Sequence, residues 1–133
     1  MSFQYPVQMR FSDIDAYGHV NNAVFFTYLE TARTNFFLQS FRHFLDQGLL
    51  FLVAHAECTY RKPIPLCESV NIDMDIAHIG RSSFTITYRI HDGTSLYAEA
   101  KTTMVCLEKQ SGKPVSIPEE LRTLLTEHLT APA

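Results

Sequence analysis

Apolar and polar residues alternate over three long stretches of this chain, and each stretch predicts a β-strand with one buried face. The stretches cover residues 5–11, 70–76 and 84–90, where aliphatic and aromatic side chains occupy every second position. A period of two is typical of antiparallel strands that pack one face on a core and leave the other in water. Two further strands are predicted at 53–60 and 96–107, the second with apolar residues on both faces. The chain therefore predicts a sheet of about five strands.

Turn-forming residues separate the later strands. Gly80-Arg81-Ser82 and Asp92-Gly93-Thr94 are short segments between alternating runs, so they predict hairpins and an antiparallel order. Pro63 and Pro65 end the strand at 53–60, because proline has no N–H to donate to a neighbouring strand.

A helical period replaces the alternation between residues 22 and 44. Phe25, Leu29 and Ala32 fall on one face of a helix, and further aromatic residues widen this face to about half of the circumference. An apolar face of that width predicts a helix that is largely enclosed by other structure, with Gly48 as its stop signal.

A short second helix is predicted near the C-terminus. Ser116-Ile117-Pro118-Glu119 fits a capping box with proline in the first turn, and leucines at 121, 124, 125 and 129 form an apolar stripe. The resulting order is one strand, a long helix, four antiparallel strands and a short helix. This order predicts an α+β fold in which the sheet wraps around the long helix.

Composition narrows the class of protein. The 133 residues fit one domain, 1–133, with a core that needs no disulfides, and the net charge of −3 gives no basic field for nucleic acid. Three cysteines without a CxxC pair and six histidines without HxH or HxxxH spacing predict neither a disulfide framework nor a metal site. We find no signal peptide, and the longest apolar run, 49–54, is too short to cross a membrane, so we expect a soluble cytoplasmic protein.

A polar loop lies between the first strand and the long helix, and it carries the candidate chemistry. Its sequence is Asp13-Ile14-Asp15-Ala16-Tyr17-Gly18-His19-Val20-Asn21-Asn22. The loop places carboxylates next to a helix N-terminus, whose first N–H groups lack intrahelical partners and attract negative charge. Such an arrangement suits attack on a carbonyl with capture of the oxyanion, but it also fits a capped turn, and spacing alone favours the cap.

The segment from Phe11 to Asn22, continued by Tyr28-Leu29-Glu30-Thr31-Ala32-Arg33, resembles the signature of hotdog-fold acyl-CoA thioesterases of the 4-hydroxybenzoyl-CoA thioesterase type. Gly80-Arg81-Ser82-Ser83 is similar to a second recurrent segment of that family. The resemblance covers roughly residues 5–108. It implies a hotdog fold, in which an antiparallel sheet of about five strands wraps around a long central helix. It also implies hydrolysis of an acyl-CoA thioester to a carboxylic acid and coenzyme A.

The resemblance also implies roles for residues of the loop. Asp15 matches the catalytic carboxylate, acting as nucleophile or as general base for water, and the backbone N–H of Asn22 matches the oxyanion donor. Neither a metal nor another cofactor is implied. Family members are homodimers, often paired into tetramers, with active sites at the subunit interface, so a neighbouring chain is expected to complete each pocket.

For the other residues of this region, the sequence indicates a role in the site less directly. Gly18 supplies a backbone conformation that a side chain would hinder, and His19 is either a base or a wall of the pocket. Asp13 is assigned a structural role, because the chemistry needs one acid. Glu30 is a fallback acid, since a different thioesterase subgroup uses a helix glutamate, or it forms an ion pair with Arg33.

Three cations at strand ends or turns are candidates for binding the phosphates of coenzyme A: Arg61, Lys62 and Arg81. They do not distinguish coenzyme A from an acyl carrier protein, and the sequence does not give the acyl group. The alternative function is a non-catalytic acyl-CoA-binding or assembly module on the same fold. A hotdog dehydratase is a third possibility, but its histidine and carboxylate pattern is not found here.

Overall fold

The computed structural model describes residues 2–130, in which one five-stranded antiparallel sheet has the strand order β1-β3-β4-β5-β2. The strands are β1 Phe3–Gln8, β2 Leu49–Tyr60, β3 Ser69–Ile79, β4 Ser83–His91 and β5 Leu96–Glu108, and the helices are α1 Asn22–Phe36, α2 Leu38–Asp46 and α3 Glu119–Glu127. The predicted α+β architecture is confirmed. Residues 1 and 131–133 of the predicted domain lie outside the described residues.

The core lies between the inner face of the sheet and α1. Every second residue of β3 and β4 is buried, as the alternation predicted, and Phe25, Leu29 and Ala32 of α1 are buried against them. Because the apolar face of α1 packs on the sheet, the N-terminus of this helix is held in a fixed position beside the last residue of β2, which pairs with the start of β5.

Both predicted ends of the first strand, residues 5 and 11, are wrong, and the strand begins at Phe3. The first strand ends at Gln8, and Phe11 belongs to a short 3-10 turn, Phe11–Asp13, where its side chain is 84% exposed. The reason is local: the Asp13 carboxylate accepts a hydrogen bond from the backbone N–H of Arg10 (2.9 Å), which turns the chain away from the sheet.

The predicted single helix from 22 to 44 is two helices, because the chain changes direction at Phe37 (φ −101°, ψ 10°). This bend buries the Phe37 ring completely and lets α2 reach β2, where Phe41 stacks on Phe51 with ring centroids 5.1 Å apart. Tertiary burial of aromatic rings therefore overrides a continuous helical period.

The predicted capping box at the C-terminal helix is also wrong. α3 begins at Glu119 with Pro118 at the N-cap, and no side chain caps it. The preceding segment is instead held along the sheet, because the Ile117 N–H donates to the Arg81 carbonyl (2.8 Å). Ser116 lies in this segment, and its hydroxyl accepts a hydrogen bond from the Arg81 guanidinium (3.1 Å).

Strand β2 is a long edge strand that pairs with β5 on one side. It begins at Leu49, four residues before the predicted start, and it leaves large apolar side chains in water, with Leu52 49% and Val53 46% exposed. Among residues 2–130, no helix is long and apolar enough to cross a membrane.

Candidate active site

The polar loop before α1 is a small hairpin that the protein fixes at both ends. The Asn21 N–H donates to the Asp13 carbonyl (2.9 Å), and Ile14 pairs with Val20. The Val20 N–H in turn donates to the carbonyl of Ile64 (2.9 Å), which follows β2. These backbone bonds hold the intervening residues in one position relative to both α1 and the end of β2.

Within the hairpin, backbone bonds shape the surroundings of Asp15. Its N–H donates to the His19 carbonyl (2.8 Å), and its carbonyl accepts from the Gly18 N–H (3.1 Å). Gly18 has φ +81°, a left-handed conformation that costs a residue with a side chain about 1–2 kcal/mol, so the turn requires glycine. The structure thus gives Gly18 the conformational role that the sequence predicted.

The Asp15 side chain is half-buried, and one of its two oxygens is fixed. Oδ1 accepts hydrogen bonds from the backbone N–H of Tyr17 (2.9 Å) and, at 3.4 Å, from that of His19. Among residues 2–130, no hydrogen bond is assigned to Oδ2. The Asp15 carboxylate is therefore held in place through Oδ1, and Oδ2 is available for chemistry.

Asp15 faces a cavity of about 450 Å³ that runs from the loop to the residues following β2. The lining residues are Asp15, Tyr17, His19, Val20, Asn21, Asn22, Phe25, Tyr60, Arg61, Lys62 and Pro63. The lining combines apolar and aromatic side chains with two cations and the Asp15 carboxylate. The volume falls within the range typical of small-molecule sites.

The N-terminus of α1 opens into the same cavity. Asn21 is the N-cap: its side-chain oxygen accepts from the Ala23 N–H and its carbonyl from the Val24 N–H, both at 2.9 Å. For the Asn22 N–H, no acceptor is found in the described part of the chain. The cap therefore satisfies the N–H groups of Ala23 and Val24 and leaves the Asn22 N–H, at the positive end of the helix, free for an anion.

Asp13 has a different environment from Asp15 although only one residue separates them. Its side chain is 1% exposed and accepts hydrogen bonds from the Tyr28 hydroxyl (2.7 Å) and from the backbone and guanidinium of Arg10. Burial alone would raise the pKa of the Asp13 carboxyl, but the hydrogen bonds from Arg10 and Tyr28 outweigh it and hold the pKa below its ordinary value. These contacts agree with the structural role assigned to Asp13.

The sequence did not single out Tyr60, which lies in the cavity wall. Its hydroxyl donates to the Asn22 carbonyl at 3.0 Å, and its ring packs edge-on against Phe25 with centroids 4.8 Å apart. Tyr60 is the last residue of β2, and nothing in the alternation of a strand marks its final residue as part of a site 38 residues away. Pro63 and Pro65 mark the end of β2 close to Tyr60, and this predicted strand end was the one sequence feature that could have drawn attention to it.

Two of the three predicted cations lie at the cavity. Arg61 and Lys62 follow β2, and their backbone N–H groups both donate to the Tyr97 carbonyl, at 2.8 and 3.1 Å, which fixes the rim of the cavity. Both side chains are exposed, and Arg61 forms an ion pair with Glu99 at 3.4 Å. They are in position to contact a charged ligand that enters the cavity from solvent.

Arg81 is not brought together with these residues in one chain. The strand register pairs Ser83 with Val105 and Val105 with Leu52, so Arg81 lies level with the start of β2. Arg61 follows the last residue of β2, nine positions beyond Leu52, which is about 30 Å along an extended strand. Any contact of Arg81 with this type of cavity requires a second chain.

Glu30 is exposed on α1 and does not form the expected ion pair with Arg33. Arg33 is instead buried and donates to the Tyr88 hydroxyl (3.2 Å), which also hydrogen-bonds the Thr102 hydroxyl (2.5 Å). Arg33 faces the inner surface of β4 and β5, and it therefore hydrogen-bonds to the sheet and not to Glu30.

The chain is similar in sequence to known CoA thioester hydrolases. The sequence profile described as the thioesterase-like superfamily matches residues 9–125. The chain is 30% identical to a 1,4-dihydroxy-2-naphthoyl-CoA hydrolase of Synechococcus elongatus, covering 92% of this chain and 94% of the relative. It is 29% identical to the acyl-CoA thioester hydrolase YbgC of Escherichia coli, covering 90% and 92%.

The fold of this chain is also similar to that of solved structures. The structure of a predicted thioesterase from Bacillus stearothermophilus superimposes with a TM-score of 0.89 at 26% identity, and all of both chains is covered. The predicted hotdog arrangement of sheet and central helix is confirmed by this match.

Proposed function

This chain belongs to the thioesterase-like superfamily, and on that premise we propose that it hydrolyses an acyl-CoA thioester to a carboxylic acid and coenzyme A. The observation that carries the proposal is the pair of groups in one cavity: the half-buried Asp15 carboxylate with one oxygen available, and the free N–H of Asn22 at the start of α1. The names of the similar proteins, a naphthoyl-CoA hydrolase and an acyl-CoA thioester hydrolase, support the same reaction.

Asp15 acts on the thioester in one of two ways. As a general base it takes a proton from water, hydroxide adds to the carbonyl carbon, and the C–S bond breaks with return of the proton to the departing thiolate. As a nucleophile its oxygen adds to the carbonyl carbon, the thiolate leaves, and water hydrolyses the resulting anhydride. In both routes the oxyanion accepts a hydrogen bond from the Asn22 N–H and is stabilised by the α1 dipole.

The remaining cavity residues orient the substrate. Phe25 and Tyr60 present an apolar wall to the acyl group and pantetheine arm, while Arg61 and Lys62 at the rim bind the phosphates of coenzyme A. His19 contributes through its backbone, which anchors Asp15, and its exposed ring forms part of the cavity wall.

We further propose that the chain, a single domain, works as a homodimer or homotetramer in which edge strand β2 packs against another copy. A twelve-residue edge strand with exposed Leu52 and Val53 is a surface that proteins cover. A second copy would complete the cavity at the end of β2. Arg81 of that copy, which lies level with the start of its own β2, would then reach the cavity. Free cysteines at positions 58, 67 and 106 and a coenzyme A substrate fit a cytoplasmic enzyme.

The test is hydrolysis of a panel of acyl-CoA thioesters by the purified protein, with thiol release as the readout. Asp15→Asn should lower kcat by about 100-fold or more, since it removes the base or nucleophile but keeps the size of the side chain. Asp75→Asn, a carboxylate of the sheet outside the cavity, is the matched control and should retain activity. Near-normal turnover by Asp15→Asn would refute the proposed mechanism.

Two further measurements separate the remaining alternatives. Saturable acyl-CoA binding by the wild-type protein without thiol release would favour the binding-module function. In a single turnover in ¹⁸O-labelled water, the nucleophilic route can place label in Asp15, whereas the general-base route places it in the carboxylic acid product alone.

A further inference from the structure

We propose that Tyr60 is a positioning residue for this reaction: its hydroxyl fixes the first turn of α1 so that the Asn22 N–H stays aligned with Asp15. This inference rests on the proposed function, because it assigns Tyr60 a role in holding the oxyanion donor. It places a residue of β2, which the sequence motif does not include, in the same functional unit as the loop.

The contacts of Tyr60 support this role. Its hydroxyl donates to the Asn22 carbonyl at 3.0 Å, and that carbonyl belongs to the peptide directly after the free N–H. Its ring packs edge-on against Phe25, three residues further along α1, with centroids 4.8 Å apart. One side chain therefore contacts the first turn of the helix at two points.

Helix ends fray more readily than the middle of a helix, so a hydrogen bond to the first turn of α1 helps to fix its position. The Asn21 N–H is bound to the Asp13 carbonyl (2.9 Å), which attaches the helix to the loop that carries Asp15. The Tyr60 hydrogen bond attaches the same turn to β2, whose last residue also lines the cavity. These two hydrogen bonds, from the loop and from β2, add to the packing of α1 on the sheet and together define the position of the Asn22 N–H.

The position of Tyr60 in the chain gives this tie a second consequence. The next two residues, Arg61 and Lys62, form the cationic rim of the cavity and are fixed to the Tyr97 carbonyl. Tyr60 therefore sets the distance between the oxyanion donor and the rim that receives the phosphates. Binding energy from the remote end of a substrate is useful for catalysis only when this distance is constant.

The experiment compares Tyr60→Phe with Tyr5→Phe in the full-length protein. Tyr60→Phe keeps the ring against Phe25 and removes the hydroxyl alone. Tyr5→Phe also removes one tyrosine hydroxyl, on β1 and outside the cavity lining. We expect Tyr60→Phe to lower kcat about tenfold with KM changed by less than about twofold, because a misplaced donor weakens transition-state binding more than substrate binding. Tyr5→Phe should leave kcat unchanged.

A second readout reports on position without turnover. The Asn22 carbonyl also accepts the N–H of Phe26 within the helix, so amide exchange of Phe26 should be faster in Tyr60→Phe and unchanged in Tyr5→Phe. The proposal requires both effects; a wild-type kcat or a wild-type exchange rate in Tyr60→Phe overturns it. If the wild-type protein releases no thiol from any acyl-CoA, the proposed function fails, and the exchange rates alone then decide whether Tyr60 positions the helix.

Discussion

Replacing the Asp13 carboxylate by the amide of similar shape, Asp13→Asn, should destabilise the protein without removing its activity. The carboxylate accepts from three donors: the Arg10 backbone N–H, the Arg10 guanidinium and the Tyr28 hydroxyl. An amide has one accepting oxygen. At the Oδ2 position this oxygen keeps the Arg10 N–H and the Tyr28 hydroxyl, and the NH₂ group then faces the Arg10 guanidinium in place of Oδ1. The guanidinium is 66% exposed and can turn to water, but the NH₂ group lies where the side chain is 1% exposed and has no acceptor.

The expected loss is about 2 kcal/mol, the middle of the range for leaving one buried polar group without a partner. An unfolding entropy of about 2.1 cal/mol/K per residue over 133 residues converts this loss to a fall in Tm of about 7 °C. Activity per folded protein should stay within about threefold of wild type, because the backbone carbonyl of Asp13, which holds Asn21, is unaltered and the side chain lies outside the cavity lining.

The effect should also depend on pH with a defined sign. The hydrogen bonds from Arg10 and Tyr28 hold the folded-state pKa of Asp13 below its ordinary value of 3.8. The charged carboxylate therefore stabilises the fold fully above that value, and this contribution is lost as the pH falls through the depressed pKa. The difference in stability between wild type and Asp13→Asn should be constant near neutral pH and shrink below pH 3.8.

The assay is thermal unfolding at one fixed protein concentration, repeated over pH, together with thiol release by the folded protein. Asp46→Asn, an exposed carboxylate at the end of α2, is the control and should change stability by less than about 0.5 kcal/mol. A wild-type Tm for Asp13→Asn would refute the assigned hydrogen bonds. A folded Asp13→Asn protein as inactive as Asp15→Asn would refute the division of roles between the two carboxylates.

The remaining predictions concern the loop, the rim and the edge strand. Gly18→Ala should cost about 1 kcal/mol through the left-handed backbone alone, since an added Cβ meets nothing within 4 Å; an unchanged Tm would contradict this. Combined Arg61→Ala and Lys62→Ala should raise KM about tenfold for acyl-CoA but little for an acyl-pantetheine without phosphates, and equal losses would exclude phosphate contacts. Val53→Glu should reduce the mass measured by light scattering to that of a monomer, and an unaltered mass would place the subunit interface elsewhere.

Much of the fold could be predicted because it follows from the local pattern of apolar and polar residues. Alternation marked the inner faces of β3 and β4, and the wide apolar face of α1 predicted its enclosure, since burial of every second strand residue follows directly from the pleat. The helix break at Phe37 and the start of α3 were not predictable in this way. Both depend on contacts with distant partners, Phe37 with the core and Ser116 with Arg81.

By itself, the sequence determined the chemistry that lies within one short segment. Asp15, Gly18 and the start of α1 at Asn22 are close in the chain, so their proximity in space follows from covalent connection and a tight turn. Backbone hydrogen bonds inside the loop then set the orientation of the Asp15 carboxylate. Such local geometry needs no knowledge of the rest of the fold.

Only the tertiary structure decided which other residues share the cavity. It brought Tyr60 to Asn22, kept Arg61 at the rim and placed Arg81 at the far end of the sheet. It also gave different environments to two acids that one residue separates, by burying Asp13 against Tyr28 while Asp15 faces the cavity. The physical reason is strand register: pairing across the sheet, which no local pattern specifies, determines which strand ends meet.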